Sequence, residues 1–596
     1  MLLEAGGDPR LLSGSLPGQS TRLPDDYDVP VFHPFASEND AFKWNFFVRH
    51  YGNEETQRRD PKYCADWNGE HVDGVLYPRA GALGGCTAHN ALIFMYPHNS
   101  DWDEIAQLTS DSSWSADSMR PYFERVENCH HRPLLRWLRW LRRNPARHGF
   151  EGWLQTERSL PMAVLGDTVL EEVIVESALK ARLRVGDLPG QAEWLLDGYE
   201  DPNDWRLVKA NAEGVCYLPL STQHHQRNGS RERVLAVARR YPDRLKIELN
   251  ALATKVIFDE QNRALGVEYL SGEQLYRAHF GPSSAAGERR EVRASREVIL
   301  AGGAFNTPQL LMLSGIGPSE VLTRFGIKVR VDLPGVGRNL QDRYEVGVVN
   351  RMNFDRWEVL NGAKFAKGDL PYRQWARSRT GMYSSNGAAL GVAKRSTPSR
   401  PLPDLFCMAL LGKFEGYFPG YSKLFPKHLN YLTWAILKAH TNNRAGEVTL
   451  RSPDPRDQPL INFRYFEEGD DKKGEDLESV VEGIKFVRAM TGLLKDQELI
   501  AQEELPGEAV RTDDELRQFV RDNAWGHHAS CTCPIGARQA QGALDGNFQV
   551  HGTRKLRVVD ASVFPRVPGF FIVGAVYMIG EKAADVILSN ADRATR

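Results

Sequence analysis

The sequence predicts an α/β protein of at least two domains, the first of them assembled from separated pieces of chain. Residues 243–270 contain consecutive strand-like runs broken by polar turns, and residues 296–317 combine a β-rich run, a glycine turn and a short helix. The glycine-rich, β-branched pattern returns after residue 525 and ends in a helix-like segment at 580–595. A chain of 596 residues is also longer than one hydrophobic core usually supports.

Residues 345–520 differ in composition from the segments on either side. They contain a proline-rich joint, "STPSRPLPD", and a charged stretch, "FEEGDDKKGEDLE". We therefore expect a second domain in this region, inserted between pieces of the first.

Composition limits the classes of partner. The 75 Lys and Arg nearly balance the 77 Asp and Glu, so we predict no nucleic-acid partner. Seven scattered cysteines argue against a disulfide framework, and Cys531 and Cys533 lack the CxxC spacing of a zinc site, so we predict no metal site. The longest apolar run, residues 570–580, is too short to span a bilayer, and no signal peptide is visible. These features predict a cytoplasmic protein without a transmembrane segment.

Residues 134–147, "LLRWLRWLRRNPAR", have an unusual charge pattern. As a helix they place Leu134, Leu138 and Leu141 on one face and most of the arginines elsewhere. Such a helix fits peripheral contact with an anionic membrane or an acidic partner. We favour the commoner interpretation, a surface helix that packs its leucines inward and leaves its arginines in water.

The chain begins "MLLEAGG", the pattern of a buried strand followed by a turn. In a dinucleotide-binding βαβ unit the second strand ends in an acidic residue that binds the ribose hydroxyls, and Glu4 stands at that position. The first strand of the unit and its GxGxxG turn are then expected about 30 residues upstream of Met1. The similar "PGVGRN" at 334–339 follows a proline and opens no helix, so we interpret it as a turn.

Several segments together resemble the glucose–methanol–choline (GMC) oxidoreductases. "YPRAGALGGCTAHNALIFMYPHNSDWD" at 77–103 and "GGAFNTPQLLMLSGIG" at 302–317 are similar to the two signatures of that family. The further matching segments are "LPGVGRNLQD" at 333–342, "WGHHASCTCPIG" at 525–536, "LRVVDASVFP" at 556–565 and "GEKAADVI" at 580–587. Several motifs in the order that the family has them identify the family far more specifically than a single glycine-rich loop does.

The resemblance implies a discontinuous Rossmann-like FAD-binding domain, here without its first βα unit, and a substrate-binding domain built on an antiparallel sheet with helices. Residues 1–130, 211–344 and 521–596 are expected in the FAD-binding domain, the last range also carrying active-site residues. Residues 345–520 are expected to bind substrate. Residues 131–210 are expected to form an insertion that lies partly on the substrate side.

The resemblance also implies which residues contact FAD. Gly84 and Gly85 let the backbone approach the cofactor, which glycine does without strain. His89 lies in "GGCTAHN", similar to the "GGCSSHN" of choline oxidase-like members that bind flavin covalently through this histidine, so covalent and non-covalent binding both remain open. The remaining expected contacts are Glu4, Thr87, Asn90, Ala91, Ala253, Asp560, Ala561, Phe571 and Ile572.

The implied catalytic residue is His528, which in the family faces flavin N5 and takes the alcohol proton while hydride leaves. In an extended chain the adjacent His527 points to the opposite face, so we do not expect the two to share a role. Phe571 stands where members carry His or Asn. Either His528 therefore works alone, or a second polar contact with the substrate comes from His527, Tyr577 or a side chain of the second domain.

Two smaller departures from the family pattern are Gly81, where Arg or Lys is usual, and Arg343, where His usually follows "LQD". The sequence predicts an FAD-dependent oxidoreductase that oxidises a small-molecule alcohol, with oxygen, a quinone or a cytochrome as electron acceptor. Two alternatives remain open. One is a flavin-containing lyase on the same scaffold, and the other is a truncated, non-catalytic chain that does not hold FAD.

Overall fold

Small parallel strand pairs and larger antiparallel sheets make up the strands of this protein. The structure is a computed structural model and describes residues 1–14, 21–138, 140, 144–159, 168–185 and 201–595. The helices are Asp25–Asp28, His33–Ser37, Glu54–Arg58, Asn99–Thr109, Ala116–Val126, Pro133–Leu138, Thr168–Val185, Trp205–Ala210, Ser230–Arg240, Gly303–Leu313, Ser319–Arg324, Leu370–Ser378, Leu424–Lys427, Glu475–Asp496, Asp513–Asn523 and Val573–Thr595.

Parallel pairs connect segments that are distant in sequence. Leu2–Leu3 pairs with Ile247–Glu248, and Val298–Leu300 pairs with Leu556–Val558. Parallel pairs of this kind are typical of α/β folds. The second pair joins the strand that precedes the second signature to the C-terminal segment. Two further parallel pairs are Ile316–Gly317 with Val331–Asp332 and Glu127–Cys129 with Leu154–Arg158.

The strand-like run at 243–270 forms strands as predicted. Ala251–Phe258, Ala264–Ser271 and Glu288–Arg293 make an antiparallel sheet in that order. The predicted helix after the glycine turn at 302 is also present, as Gly303–Leu313. The remaining smaller strands are Lys43–Val48, Tyr63–Trp67, Glu70–Ala80, Pro219–Leu220, Thr222–Gln223, Gln226–Arg227, Glu447–Thr449 and Leu460–Asn462.

A six-stranded antiparallel sheet dominates the region expected to bind substrate. Helix Glu475–Asp496 lies on it so closely that a Cβ on Gly483 would come within 2.6 Å of Ile436 Cγ2. The edge strand Gly214–Cys216 belongs to this sheet although it lies outside residues 345–520 in the sequence. The predicted domain boundaries stay a prediction. The strand order is Ile500–Leu505, Tyr344–Met352, Tyr431–Lys438, Leu405–Leu410, Ala388–Lys394 and Gly214–Cys216.

The basic segment 134–147 is partly described, and residues 139 and 141–143 lie outside the described residues. Its helix buries Leu135, and the Arg136 guanidinium donates to the carbonyl oxygen of Cys129 at 2.7 Å. The expectation that Leu134 faces inward and the arginines face water is therefore wrong for Leu134 and Arg136, because the helix turns the next leucine toward the core. The exposed side chains are Leu134 (56%), Trp137 (63%) and Trp140 (87%).

The apolar run 570–580 mostly belongs to the last helix, Val573–Thr595. Its residues Ala575, Met578 and Ile579 are buried in the same core as Phe123 of helix Ala116–Val126. Within the described ranges, no helix combines the length and the apolar character that crossing a bilayer requires.

Candidate active site

The N-terminal turn lies against the loop of the first family signature. Glu4 Oε1 accepts a hydrogen bond from the Gly6 amide at 2.9 Å, and Gly7 forms a parallel bridge with Ala82. A Cβ on Gly6 would lie 1.8 Å from the carbonyl oxygen of Gly81. Only glycine permits so close an approach of two backbones.

Glu4 and Ala253 lie on neighbouring strands. The Ala251 amide donates to the Glu4 carbonyl oxygen at 2.8 Å, and Ala253 follows two residues later on the same strand, opposite Tyr269. Burial raises the pKa of the Glu4 carboxyl. Glu4, expected at the ribose, and Ala253, another expected cofactor contact, are thus brought together.

The glycine pair of the first signature adopts backbone angles that suit glycine. Gly84 has φ +103° and Gly85 has φ +55°, and a 3₁₀ turn follows over Gly85–Ala88. A Cβ on Gly85 would meet open space, so the backbone conformation and not crowding favours glycine there. Thr87 Oγ1 donates to the Gly84 carbonyl oxygen at 2.7 Å and holds the turn closed.

An indole occupies the space where the family carries a basic side chain. A Cβ on Gly81 would lie 2.2 Å from Trp44 Cε2, so Trp44 explains the glycine. The neighbouring Arg79 reaches the active-site segment instead, because its Nη1 donates to the carbonyl oxygen of His527 at 3.2 Å.

His89 is buried and electrically neutral. Burial, followed by the positive charge of Arg79, lowers the pKa of its imidazole to about 3. Its Nε2 has no hydrogen-bond partner among the described residues, so this nitrogen is free for a flavin contact. Covalent attachment through His89 stays a prediction, which retention of flavin in the denatured protein decides.

Asn90 Oδ1 accepts from Arg227, and the Ala91 carbonyl oxygen accepts from Asn386, each at 2.8 Å.

Asp560 connects the second signature to the C-terminal segment. Its Oδ2 accepts from the Gly303 amide at 2.9 Å and from Thr307 Oγ1 at 2.6 Å, at the start of helix Gly303–Leu313. The carbonyl oxygen of Ala561 accepts from the amide of Cys531 at 3.0 Å, which is three residues beyond His528. Asp560 therefore positions the loop that leads to the histidine.

His528 is buried at the junction of these segments. The Phe571 ring lies edge-on to the imidazole with 5.8 Å between centroids, as their predicted proximity requires. Burial, followed by His527 and Arg343, lowers the pKa of His528 well below 6.5, so the imidazole is neutral at physiological pH. A neutral imidazole is the form that accepts a proton.

The expectation that His527 and His528 point to opposite faces is wrong. Their rings lie 4.1 Å apart, and their Nδ1 atoms lie 3.5 and 3.7 Å from Glu345 Oε1. Side chains alternate only in a regular strand, and residues 526–529 form none. Burial raises the pKa of Glu345 well above its ordinary value and so favours the protonated form of this carboxyl. The sequence analysis missed Glu345.

Asp342 was also missed, although it ends the segment "LPGVGRNLQD". It accepts hydrogen bonds from the His528 amide at 2.8 Å, the Arg343 amide at 2.7 Å and the Tyr77 hydroxyl. The Tyr77 oxygen accepts in turn from the Ala529 amide at 2.7 Å. Asp342 and Tyr77 together fix the backbone on both sides of His528.

Arg343 is a buried cation beside the histidines. Its side chain is fully buried, and Nη2 donates to the Pro568 carbonyl oxygen at 2.6 Å. Its Nε and Nη1 make no hydrogen bond within the described part of the chain. The sequence flagged this position as a departure from the family but assigned it no role.

The signature loop and the His528 segment border one site. Leu92 and Ile93, which follow Ala91, pack in the same buried cluster as Phe571, and Arg79 contacts the backbone of His527. Ile572 is partly buried next to Phe571. Contact of these residues with flavin stays a prediction.

We expect Gly6→Ala to weaken FAD binding, because the new methyl group collides with the Gly81 backbone beside the cofactor loop. Overpacking of this kind costs about 1–3 kcal/mol, which is roughly a 5- to 150-fold loss of affinity. The ratio of flavin absorbance to protein absorbance after dialysis measures how much FAD each variant retains. Gly281→Ala is the control, because a Cβ there meets no atom within 4 Å. Equal flavin retention by the two variants would contradict the prediction.

Two sequence models of the GMC oxidoreductase family match the chain, the N-terminal one over residues 71–345 and the C-terminal one over residues 442–580. The oxygen-dependent choline dehydrogenase of Rhizobium etli (strain CIAT 652) is 27% identical over 94% of this chain and 89% of that protein. Formate oxidase of Aspergillus oryzae RIB40 aligns with a TM-score of 0.76 and 23% identity, over 99% of this chain and 94% of that one.

Pyridoxine 4-oxidase from Mesorbium loti aligns with a TM-score of 0.71 and 20% identity, over 98% of this chain and 93% of that one. These alignments confirm the predicted mixed α/β fold. The family models together cover more than half of the chain, and the family consists of FAD-dependent oxidoreductases that act on CH–OH donors. The chain belongs to the glucose–methanol–choline oxidoreductase family.

Proposed function

We propose that this chain oxidises a small alcohol or aldehyde hydrate, with FAD as hydride acceptor and His528 as general base. The observation that carries the proposal is a buried, neutral imidazole next to the signature loop. Bound FAD supplies a hydride acceptor at N5. The left-handed turn at Gly84 and Gly85 and the unpartnered Nε2 of His89 fit such a cofactor.

His528 removes the hydroxyl proton of the substrate. Its Nδ1 is buried and turned toward Glu345, so we assign the ring hydrogen of the neutral imidazole to Nδ1 and uptake of the substrate proton to Nε2. Asp342 holds the backbone amide of His528, and the edge-on ring of Phe571 limits rotation of the imidazole. A fixed base near the reacting carbon lowers the barrier because the chemical step needs no rearrangement.

The second polar contact comes from His527 or Glu345. Both lie next to His528, whereas Tyr577 packs against Trp153 with 5.0 Å between ring centroids and its oxygen lies near Gly229. Phe571 cannot exchange a proton, and its ring makes the space in front of His528 more apolar. We therefore expect His527 to tune His528 and not to replace it.

Replacing His528 by Gln is expected to lower kcat by about 10²- to 10⁴-fold, the usual contribution of a general base. His527→Gln is the matched control, with a smaller loss and the same flavin content. Anaerobic mixing with alcohol and stopped-flow recording of the flavin absorbance gives the rate of the chemical step. An active wild type whose flavin stays yellow with its substrate would identify a lyase instead.

The activity of the wild type is expected to persist to unusually low pH. His528 is active when neutral, and its lowered pKa keeps it neutral until the pH falls below 6.5. The pH profile of kcat/KM, which reports the free enzyme, should therefore fall only on the acid side of that value. His527→Gln should move the fall to higher pH, since His527 contributes to the lowered pKa. A fall centred at or above pH 6.5 in the wild type would contradict the assignment.

Buried charge limits the substrate class. The guanidinium groups of Arg79 and Arg343 lie near both histidines, burial favours the protonated form of Glu345, and the carboxylate of Asp342 offsets one of the two positive charges. The site is therefore positive and disfavours a quaternary ammonium such as choline, the substrate named for the relatives. We propose a neutral or anionic substrate.

Choline and its uncharged isostere 3,3-dimethylbutan-1-ol test this proposal. A cation about 10 Å from one guanidinium is repelled by roughly 1.7 kcal/mol at an effective dielectric constant of about 20. The isostere should thus show a kcat/KM about tenfold or more above that of choline. A preference for choline would refute the proposal, and Arg343→Gln should reduce the difference.

The electron acceptor and the membrane contact stay predictions. Oxygen, a quinone and a cytochrome are all compatible with the site. The exposed side chains of Leu134, Trp137 and Trp140 support peripheral contact through residues 134–147. Co-sedimentation with anionic vesicles decides that point.

A further inference from the structure

Five ionisable side chains are buried together away from the flavin-site residues. Cys129 ends the strand Glu127–Cys129, His131 follows it, His148 follows a turn at 145–146, and Asp201 precedes helix Trp205–Ala210. The side chains of His131, His148 and Asp201 are 2%, 0% and 0% exposed. Cys129 and Glu127 are fully buried as well. The proposed oxidation uses none of these residues.

The donor atoms have the spacing of metal ligands. Cys129 Sγ lies 3.5 Å from His131 Nε2, and Asp201 Oδ2 lies 3.3 Å from that nitrogen and 3.2 Å from His148 Nε2. Ligands about 2.0–2.3 Å from a tetrahedral zinc ion are separated by roughly 3.3–3.6 Å. One donor atom from each of Cys129, His131 and His148 lies within 4.8 Å of the others, in a group whose fourth member is Glu127. Asp201 joins these residues through its contacts with the two histidines.

The imidazole of His148 lies between two buried carboxylates. His148 Nε2 makes no hydrogen bond to any described residue, although Asp201 Oδ2 is near. The opposite nitrogen, Nδ1, lies 2.9 Å from Glu127 Oε2. Glu127 is held by the Gly149 amide at 3.0 Å and by Thr156 Oγ1 at 3.2 Å. A carboxylate that accepts from Nδ1–H directs Nε2 at a metal, as in many zinc sites.

We propose that Cys129, His131, His148 and Asp201 bind one zinc ion in tetrahedral geometry, with Glu127 orienting His148. One thiolate, two imidazoles and one carboxylate are the donor types that zinc prefers. All four positions belong to the protein, so the ion is structural. It ties the strand Glu127–Cys129 to two segments that are distant in sequence.

Zinc binding to the purified full-length protein tests the site. After removal of metal with a chelator, we expect about one zinc per chain by mass spectrometry of the metal and by competition with a chromophoric chelator. His131→Gln should bind zinc about tenfold or more weakly. His130→Gln is the matched control, because its imidazole is exposed and bonds Gln155. Equal affinity of the two variants, or a wild type without stoichiometric zinc, overturns the proposal.

Cobalt gives a second readout that does not depend on a variant of His131. Cobalt-loaded wild type should show a thiolate-to-cobalt charge-transfer band in the difference spectrum against the apoprotein, which cancels the flavin absorbance. The band should disappear in Cys129→Ser and remain in Cys64→Ser, whose cysteine lies outside the cluster. If His131→Gln fails to fold, the wild-type cobalt spectrum decides: its band supports the site, and a spectrum without thiolate ligation overturns it.

Discussion

The buried carboxylate of Asp342 is the interaction on which the active site depends. It accepts hydrogen bonds from the amides of His528 and Arg343 and from the hydroxyl of Tyr77. These donors belong to three separate motif segments of the sequence. Charge-assisted bonds to a buried carboxylate are strong, and loss of the acceptor leaves several donors unsatisfied. The position of the histidine is therefore set by backbone contacts and not by its own side chain.

Burial then determines the charge state of the site. Desolvation lowers the pKa of His89, His527 and His528, and it raises the pKa of Glu345, so all four groups are neutral. The guanidinium of Arg343 keeps its charge in the same surroundings. A neutral base next to fixed positive charge suits removal of a proton from a hydroxyl, because the developing alkoxide is anionic.

The sequence predicted the mixed α/β fold and the segments that form the site. The turn at Gly84 and Gly85 was identifiable because it depends on local backbone geometry, which a motif records. Asp342, Glu345 and Arg343 received no role, since their function arises from contacts with distant segments. The opposite orientation predicted for His527 assumed a regular strand.

A further error and an omission have the same physical origin. Leu135 and not Leu134 faces the core, because tertiary packing sets the rotation of a short helix. The sequence analysis tested only the closely spaced Cys531 and Cys533 for metal binding. It missed the cluster around Cys129 because His148 and Asp201 approach that cysteine only in the folded chain.

The edge strand Gly214–Cys216 has a mechanical consequence. It pairs with Gly391, Val392 and Ala393 in the six-stranded sheet, while the neighbouring chain continues into the segment around Arg227 that bonds Asn90. A rigid-body hinge that separated the sheet from the signature loop would have to break this strand pairing. The pairing therefore opposes such a hinge, and displacement of loops and side chains is the less costly way to open a path to His528.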